Sequence, residues 1–294
     1  MKKLRPFAYF EPSTLAEAIE ILKDQGSRAV PLAGGTDLLV RMKRGEIHPP
    51  GLVNLKRIEG LREIKKGSKK GADIGALTSI SAVEQSSLIQ SSCPVLAQAA
   101  SLLGSPAIRN MATLGGNVGR ASPASDMIPS LIVLGASVMI DGPRGKKGVG
   151  IEQLFLGPGK TILSSGEVIT SFFVPEMEAN TGAAYLKLSR TAGMDCCLAG
   201  VAVLLTLSGK KNEVSVARVA LSAVAPIPLR AKKAEEVLLS GPLDQERINE
   251  AARVTADEAS PISDLRASAS YRKEMLRVFA QRAFSAALKQ AQGG

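Results

Sequence analysis

The stretch Thr113-Leu-Gly-Gly-Asn-Val-Gly-Arg-Ala-Ser-Pro-Ala-Ser-Asp126 decides how this chain is read. A Gly-Gly pair frees the backbone to take positive φ and to turn consecutive N–H groups into one concavity. Such a nest holds phosphate oxygens, the more so when a helix starts behind it. A second stretch of the same kind, Pro31-Leu-Ala-Gly-Gly-Thr-Asp-Leu-Leu39, leaves a short strand at residues 29–32 and runs into a helical start at Leu38. Thr36 and Asn117 set short side-chain donors beside the two glycine pairs. A pyrophosphate has oxygens enough for two nests, whereas a single phosphate needs one. Neither stretch has the glycine spacing of a Rossmann fingerprint or a P-loop, which excludes both. Taken alone, each pair also reads as an ordinary tight turn in a chain with 28 glycines, so the pattern by itself reaches only a candidate dinucleotide phosphate site.

Outward from these turns, Thr14-Leu-Ala-Glu17 forms a capping box, with Leu15, Ala18, Ile19 and Leu22 at helical spacing until Gly26. Buried strands are expected at 51–55 and 72–77, and a second capping box at Ser81-Ala-Val-Glu84. A helix at 94–103 closes on Gly104, another at 127–134 carries Pro129 in its first turn, and strands follow at 137–140 and 168–174. Between Pro175 and Thr181 the pattern changes. Strands at 183–188, 199–207 and 214–224, with a hairpin loop at 208–213, give way to helices at 231–239, 244–259 and 271–290. Strands followed by helices read as an α+β domain. With 294 residues, two domains are expected, 1–176 and 177–294.

Composition narrows the function classes. The net charge of +10 invites a nucleic-acid reading, but three Tyr, seven Phe and no Trp leave few stacking platforms for one. The basic residues come as pairs at Lys65-Lys66, Lys69-Lys70, Lys146-Lys147, Lys210-Lys211 and Lys232-Lys233, and these read as solvated loop tips. The surplus also suits an anionic ligand or an acidic partner protein. Three cysteines, two of them adjacent, make no disulfide scaffold and no ladder for zinc or an iron–sulfur cluster. Pro6, Glu11 and Pro12 interrupt the basic start before any signal-peptide core forms, and no apolar run approaches the roughly 20 residues of a membrane span. A cytoplasmic protein is expected. His48, the single histidine, lies in Glu-Ile-His-Pro-Pro without partners at metal or triad spacing, so no catalytic side chain and no metal ligand is assigned. Tyr271, Met275, Val278, Phe279 and Arg282 mark one face of the last helix and read as packing.

The two glycine stretches together resemble the FAD-binding medium subunit of molybdenum hydroxylases, the family of the carbon monoxide, xanthine and nicotinate dehydrogenase flavoproteins. Further matches are Phe7-Ala-Tyr-Phe-Glu-Pro-Ser-Thr-Leu-Ala-Glu-Ala18, Ala184-Tyr-Leu-Lys-Leu-Ser-Arg190 and Asp264-Leu-Arg-Ala-Ser-Ala-Ser-Tyr-Arg-Lys-Glu-Met275. The resemblance covers nearly the whole chain. It implies a vanillyl-alcohol-oxidase-like (PCMH-type) FAD-binding domain in two α+β lobes, about 1–57 and 58–176, and a smaller C-terminal α+β domain of sheet and helices. By the same resemblance, Leu32, Ala33, Gly34, Gly35, Thr36, Asp37 and Leu38 wrap the FAD pyrophosphate, and Thr113, Gly115, Gly116 and Asn117 form the second cradle. Asp126 matches an acidic residue near the flavin and ribityl portion, and Lys187 a lysine reaching the flavin. Ile169 lines the ring, and Leu103 and Gly104 add contacts.

The implied function is an electron-transfer subunit. It takes electrons from a [2Fe–2S] small subunit, beside a large subunit that binds the molybdopterin cofactor, and passes them to an external acceptor such as NAD, a quinone, oxygen or a protein carrier. The alternatives are a noncatalytic assembly subunit without functional FAD and a self-sufficient PCMH-type flavin oxidase. Two positions depart from the family pattern. Cys196 stands after Asp195 where carbon monoxide dehydrogenase relatives carry an aromatic residue, and it is expected as a small buried residue before a strand. Arg120 replaces a smaller residue and reads equally as a phosphate contact or a surface ion pair. The cysteine-rich insertion of 4-hydroxybenzoyl-CoA reductase is absent.

Overall fold

A computed structural model describes residues 4–191, 196–209 and 212–293. The chain opens with β1 (Ala8–Phe10), α1 (Leu15–Gln25), β2 (Ala29–Leu32), α2 (Leu38–Arg44) and β3 (Gly51–Asn54). The three strands form a parallel sheet in the order β1-β3-β2. Parallel neighbours require crossovers, and α1 and α2 provide them. Helix α1 starts where its capping box lies: Thr14 Oγ1 accepts from Glu17 N at 3.2 Å, and Glu17 accepts from Ser13 N at 2.8 Å. Its apolar stripe, Ala18 and Leu22, packs on Ala29 and Val53.

Next come β4 (Ile64–Lys66), β5 (Gly71–Gly75), α3 (Ile80–Gln85), α4 (Ser87–Ser92), α5 (Pro94–Leu102), α6 (Pro106–Met111), α7 (Leu114–Gly119) and α8 (Met127–Val133). They are followed by β6 (Ser137–Asp141), β7 (Lys147–Gly150), β8 (Phe155–Gly157), β9 (Lys160–Thr161) and β10 (Val168–Pro175). Five strands make an antiparallel sheet, β4-β5-β10-β6-β7, with β8 and β9 as a separate small pair. Ile74, Phe172 and Val174 from this sheet meet Leu96, Ile128 and Leu131 from α5 and α8 in the largest core.

Two local expectations need correction. Helix α3 is capped by Ser79, whose Oγ accepts from Ala82 N at 3.1 Å, and not by Ser81. The bridge between Ser79 and Thr113 holds Ser79 in extended conformation, so the helix begins two residues earlier, and Glu84 instead pairs with Arg109 at 2.8 Å. The lysine pairs are not all loop tips. Lys65, Lys66 and Lys147 lie on β4 and β7, the two edge strands of the five-stranded sheet, where lysine discourages pairing with a further strand. Lys232 and Lys233 open a helix, and Lys210 and Lys211 lie outside the described residues.

The remainder holds β11 (Thr181–Leu188), β12 (Ala199–Leu207), β13 (Val214–Ser222), β14 (Leu229–Arg230), α9 (Lys232–Leu239), α10 (Gln245–Glu258) and α11 (Ala269–Ala291). The antiparallel order is β11-β12-β13-β14. Strand β12 is apolar from Ala199 to Leu205 because both of its faces are covered there. Val201, Val203 and Leu205 meet the helices α9–α11, while Ala202 and Leu204 join the core of the five-stranded sheet. Arg272 of α11 is buried, and its charge is met by Leu198 O at 2.8 Å, Ala223 O at 3.4 Å and the Asp264 carboxylate at 2.8 Å. The N–H of Arg266 first, then that of Ala267 and the Arg272 guanidinium, hold the Asp264 carboxyl down at about 2. No helix among the described residues is long and apolar enough to cross a membrane.

Candidate cofactor-binding site

The two glycine stretches, far apart along the chain, face each other across one cleft of about 450 Å³, within the range of small-molecule and cofactor sites. One wall is the turn between β2 and α2. Gly35 takes φ +77°, the left-handed conformation that glycine adopts without strain. Gly34 sits so close to the opposite wall that a Cβ there would lie 2.0 Å from Met111 O. The backbone N–H groups of Gly34, Gly35, Thr36 and Asp37 meet no backbone acceptor among the described residues. The turn therefore presents a run of open donors at the start of α2, the arrangement that suits an anion.

The second glycine pair differs. Gly115 and Gly116 lie inside α7 with no positive φ, and Thr113 caps that helix by accepting from Gly116 N at 3.0 Å. Gly115 N donates to Ala76 O at 2.8 Å and Asn117 N to Thr113 O at 2.9 Å, so these amides are engaged within the protein. Their glycines serve close packing, since a Cβ on Gly115 would lie 2.7 Å from Ala76. What this wall offers the cleft is the Asn117 side chain, whose Oδ1 accepts from Ser125 Oγ and leaves its amide donors to other partners.

Asp126 is the N-cap of α8 but caps nothing with its side chain; Ser125 Oγ takes Ile128 N instead. The Asp126 carboxylate receives Tyr185 Oη at 2.9 Å on one oxygen and Lys187 Nζ at 2.8 Å on the other, and Lys187 also donates to Leu102 O at 3.1 Å. All three groups are buried, so the strand β11 supplies both partners to a residue of the cleft wall. Burial pushes the Asp126 carboxyl above its ordinary value, against the pull of Lys187 and of the Tyr185 hydroxyl. Burial, then the Asp126 charge, pushes Tyr185 well above its ordinary value, so its hydroxyl stays a donor at neutral pH. Behind it Cys197 is pushed up to about 12 by burial, an inert thiol.

Of the residues singled out in the sequence, Ala33, Gly34, Gly35, Thr36, Asp37, Leu38, Leu103, Thr113, Gly115, Gly116, Asn117, Asp126 and Ile169 line this cleft. Ile169 arrives there at a β-bulge in β10, between Ile169 and Ser171. Leu32 lies beneath the turn in a small core with Met42 and Leu52. Gly104 turns the chain after α5 at φ +50°, and Lys187 reaches the cleft through Asp126. Sequence reasoning missed the apolar wall of Leu77, Ile108, Leu163 and Val168, and the basic Arg41. Arg120 also lines the cleft and pairs with Asp37 at 2.8 Å. Cys196 is exposed rather than buried, because the chain becomes covered only at Cys197, two residues before β12; Asp195 lies outside the described residues.

These features fit an extended dinucleotide: open amides for phosphate, flanking guanidinium groups, and apolar walls for a flat ring. Residues 5–177 match the family model of the FAD-binding domain in molybdopterin dehydrogenase, and residues 183–287 match that of the CO dehydrogenase flavoprotein C-terminal domain. This chain belongs to that flavoprotein family. The flavoprotein is 36% identical to the carbon monoxide dehydrogenase medium chain of Hydrogenophaga pseudoflava, over 96% of each chain. It is 31% identical to the glyceraldehyde dehydrogenase medium chain of Sulfolobus acidocaldarius, over 95% of this chain and 97% of that one. A solved structure of carbon monoxide dehydrogenase from H. pseudoflava, in a form lacking the Mo-pyranopterin moiety of its molybdenum cofactor, superposes with a TM-score of 0.94 over 97% of this flavoprotein and 98% of that chain. The expected α+β architecture, an FAD-binding domain followed by a C-terminal domain, is borne out, as is the resemblance carried by the two glycine stretches. The flavoprotein is thus an oxidoreductase subunit with an FAD-binding domain.

Proposed function

We propose that the cleft holds FAD and that the chain works as the electron-transfer subunit of a molybdenum-containing hydroxylase or dehydrogenase. The observation that carries this reading is the run of open amides at Gly34–Asp37 facing an apolar wall across the cleft. The amides of residues 34–37 and Thr36 hold the pyrophosphate, with Asn117 donating from the opposite wall. Leu103 and Ile169 pack on the ring and exclude water from it. Asp126, fixed by Tyr185 and Lys187, sets the polarity beside the flavin and ribityl portion, and Lys187 offsets its charge. When bound, FAD supplies both one- and two-electron redox chemistry, which suits a subunit receiving electrons from a [2Fe–2S] partner and delivering them to an external acceptor.

Substrate chemistry then belongs to a partner that binds the molybdopterin cofactor. We place the domain boundary near residue 177 and the protein in the cytoplasm. The test is purification of the chain with its native partners. One FAD per chain, reduced when substrate is added to the complex and reoxidised by an added acceptor, supports the reading. A chain that folds but takes up no FAD returns it to an assembly subunit, and substrate turnover by the isolated chain makes it an oxidase.

A further inference from the structure

Asp37 poses an electrostatic problem. Its carboxylate lines the cleft directly beside the open amides of residues 34–36, where an anionic phosphate would meet repulsion. Helix α2 does not need it, since Asp37 occupies the N-cap without a side-chain capping bond. Its carboxylate instead reaches across the cleft to Arg120 Nε at 2.8 Å, from a wall 83 residues away in sequence, while Arg41 stands at 4.0 Å. Arg41 lies nearer to Glu46, at 3.4 Å, so Arg120 is the main partner that offsets the Asp37 charge.

Arg120 is held for this contact. It is the C-cap of α7, its N–H donating to Gly116 O, and Ala121 behind it is forced to φ +48°. The turn between β8 and β9 closes on the same corner, with Gly159 N donating to Ala121 O at 2.9 Å. A Cβ on Gly159 would lie 3.0 Å from an Arg120 guanidinium nitrogen. A non-glycine residue in left-handed conformation marks a place where the surrounding structure fixes a strained geometry.

We propose that Arg120 is a cofactor-retaining residue that works through Asp37, the ion pair clasping the two walls of the cleft beside the phosphate-holding turn. The clasp rests on the reading of this cleft as the FAD site. Both side chains are partly exposed, so its effect is modest and salt-sensitive.

The test is the rate of FAD release from the full chain, with whatever subunits accompany it, followed by the rise in flavin fluorescence on dilution. Arg120→Gln and Asp37→Asn are each expected to speed release roughly fivefold at low salt, the most an exposed pair gives. The double variant is expected to be no faster than the quicker single one. The exchanged pair, Asp37→Arg with Arg120→Asp, recovers most of the loss, and the differences shrink in about 1 M salt. Arg120→Lys, which keeps the charge, stays closer to the parent and guards against a folding defect in the glutamine variant. Slower release from Asp37→Asn overturns the clasp, because Arg120 would then act on phosphate directly. Unchanged release in both single variants, or fully additive effects, overturns it as well. If the parent chain binds no FAD, the reading of the cleft falls and the clasp with it, whereas FAD bound tightly but without coupling defeats the clasp alone.

Discussion

Gly34-Gly35 and Gly115-Gly116 are the same dipeptide on opposite walls of one cleft, and they do different work. In the first turn Gly35 reverses the chain at φ +77° and the neighbouring amides are left open. In the second the glycines sit within a capped helix whose first amides are already engaged by Ala76 O and Thr113. Both pairs allow a close approach, at Gly34 to Met111 and at Gly115 to Ala76, but only the first leaves its amides open. A dipeptide motif therefore specifies a backbone possibility, and the neighbours with which it is placed decide whether its donors remain available.

The sharpest way to break this contrast is Gly34→Val. Its Cβ would meet Met111 O at 2.0 Å across the cleft, so the walls must separate, and flavin content is expected to fall by an order of magnitude or more. A Gly34→Val protein with one flavin per chain would remove this turn from the site. Gly115→Ala comes next. Overpacking against Ala76 is expected to cost about 1–3 kcal/mol in urea unfolding, with a weaker effect on flavin affinity in the folded fraction. Loss of flavin without loss of stability would show that the second turn holds cofactor through its backbone after all.

The two threonines refine the comparison. Thr113→Ala removes a helix cap and is expected to lower stability by about 1 kcal/mol. Thr36→Ala, with no capping role, should leave the urea midpoint within about 0.5 kcal/mol of the parent while weakening FAD binding. Equal effects of the two substitutions on stability would erase the distinction between the turns.

The smallest expected effect lies away from both turns and serves as a control. Asp264 is held at about 2 in the folded protein, below its ordinary 3.8. A depressed carboxyl stabilises the fold above its unfolded value, and this contribution is lost as pH falls from 3.8 through about 2. Asp264→Asn should flatten that part of the acid unfolding curve without changing flavin content at neutral pH. An unchanged acid limb would remove Asp264 from the set of groups that govern it.

Legibility of the fold followed the strength of the local signal. The helix after Thr14 and the three long strands at 181–222 carried either a capping residue or an extended apolar run, and both survive in the structure. Short elements such as β8 and β9 carried neither, and they exist because their neighbours hold them. The cap of α3 was misread because Ser79 and Ser81 are both competent caps, and only the bridge to Thr113 selects between them. At the site, family motifs gave most of the wall, but Leu77, Leu163 and Arg41 belong to no motif and were invisible until distant segments met.

By itself the sequence determined that this chain has two glycine stretches in the setting of a flavoprotein subunit. It determined this because residue type and spacing fix local backbone options and available chemistry. Only the tertiary structure decided which of the two Gly-Gly pairs keeps its amides open, that Arg120 reaches Asp37 across the cleft, and that Asp126 is gripped by Tyr185 and Lys187 from the next sheet. Those outcomes depend on which partners lie within hydrogen-bonding distance, and contacts between residues some 60–80 positions apart are made by packing and not by any local pattern.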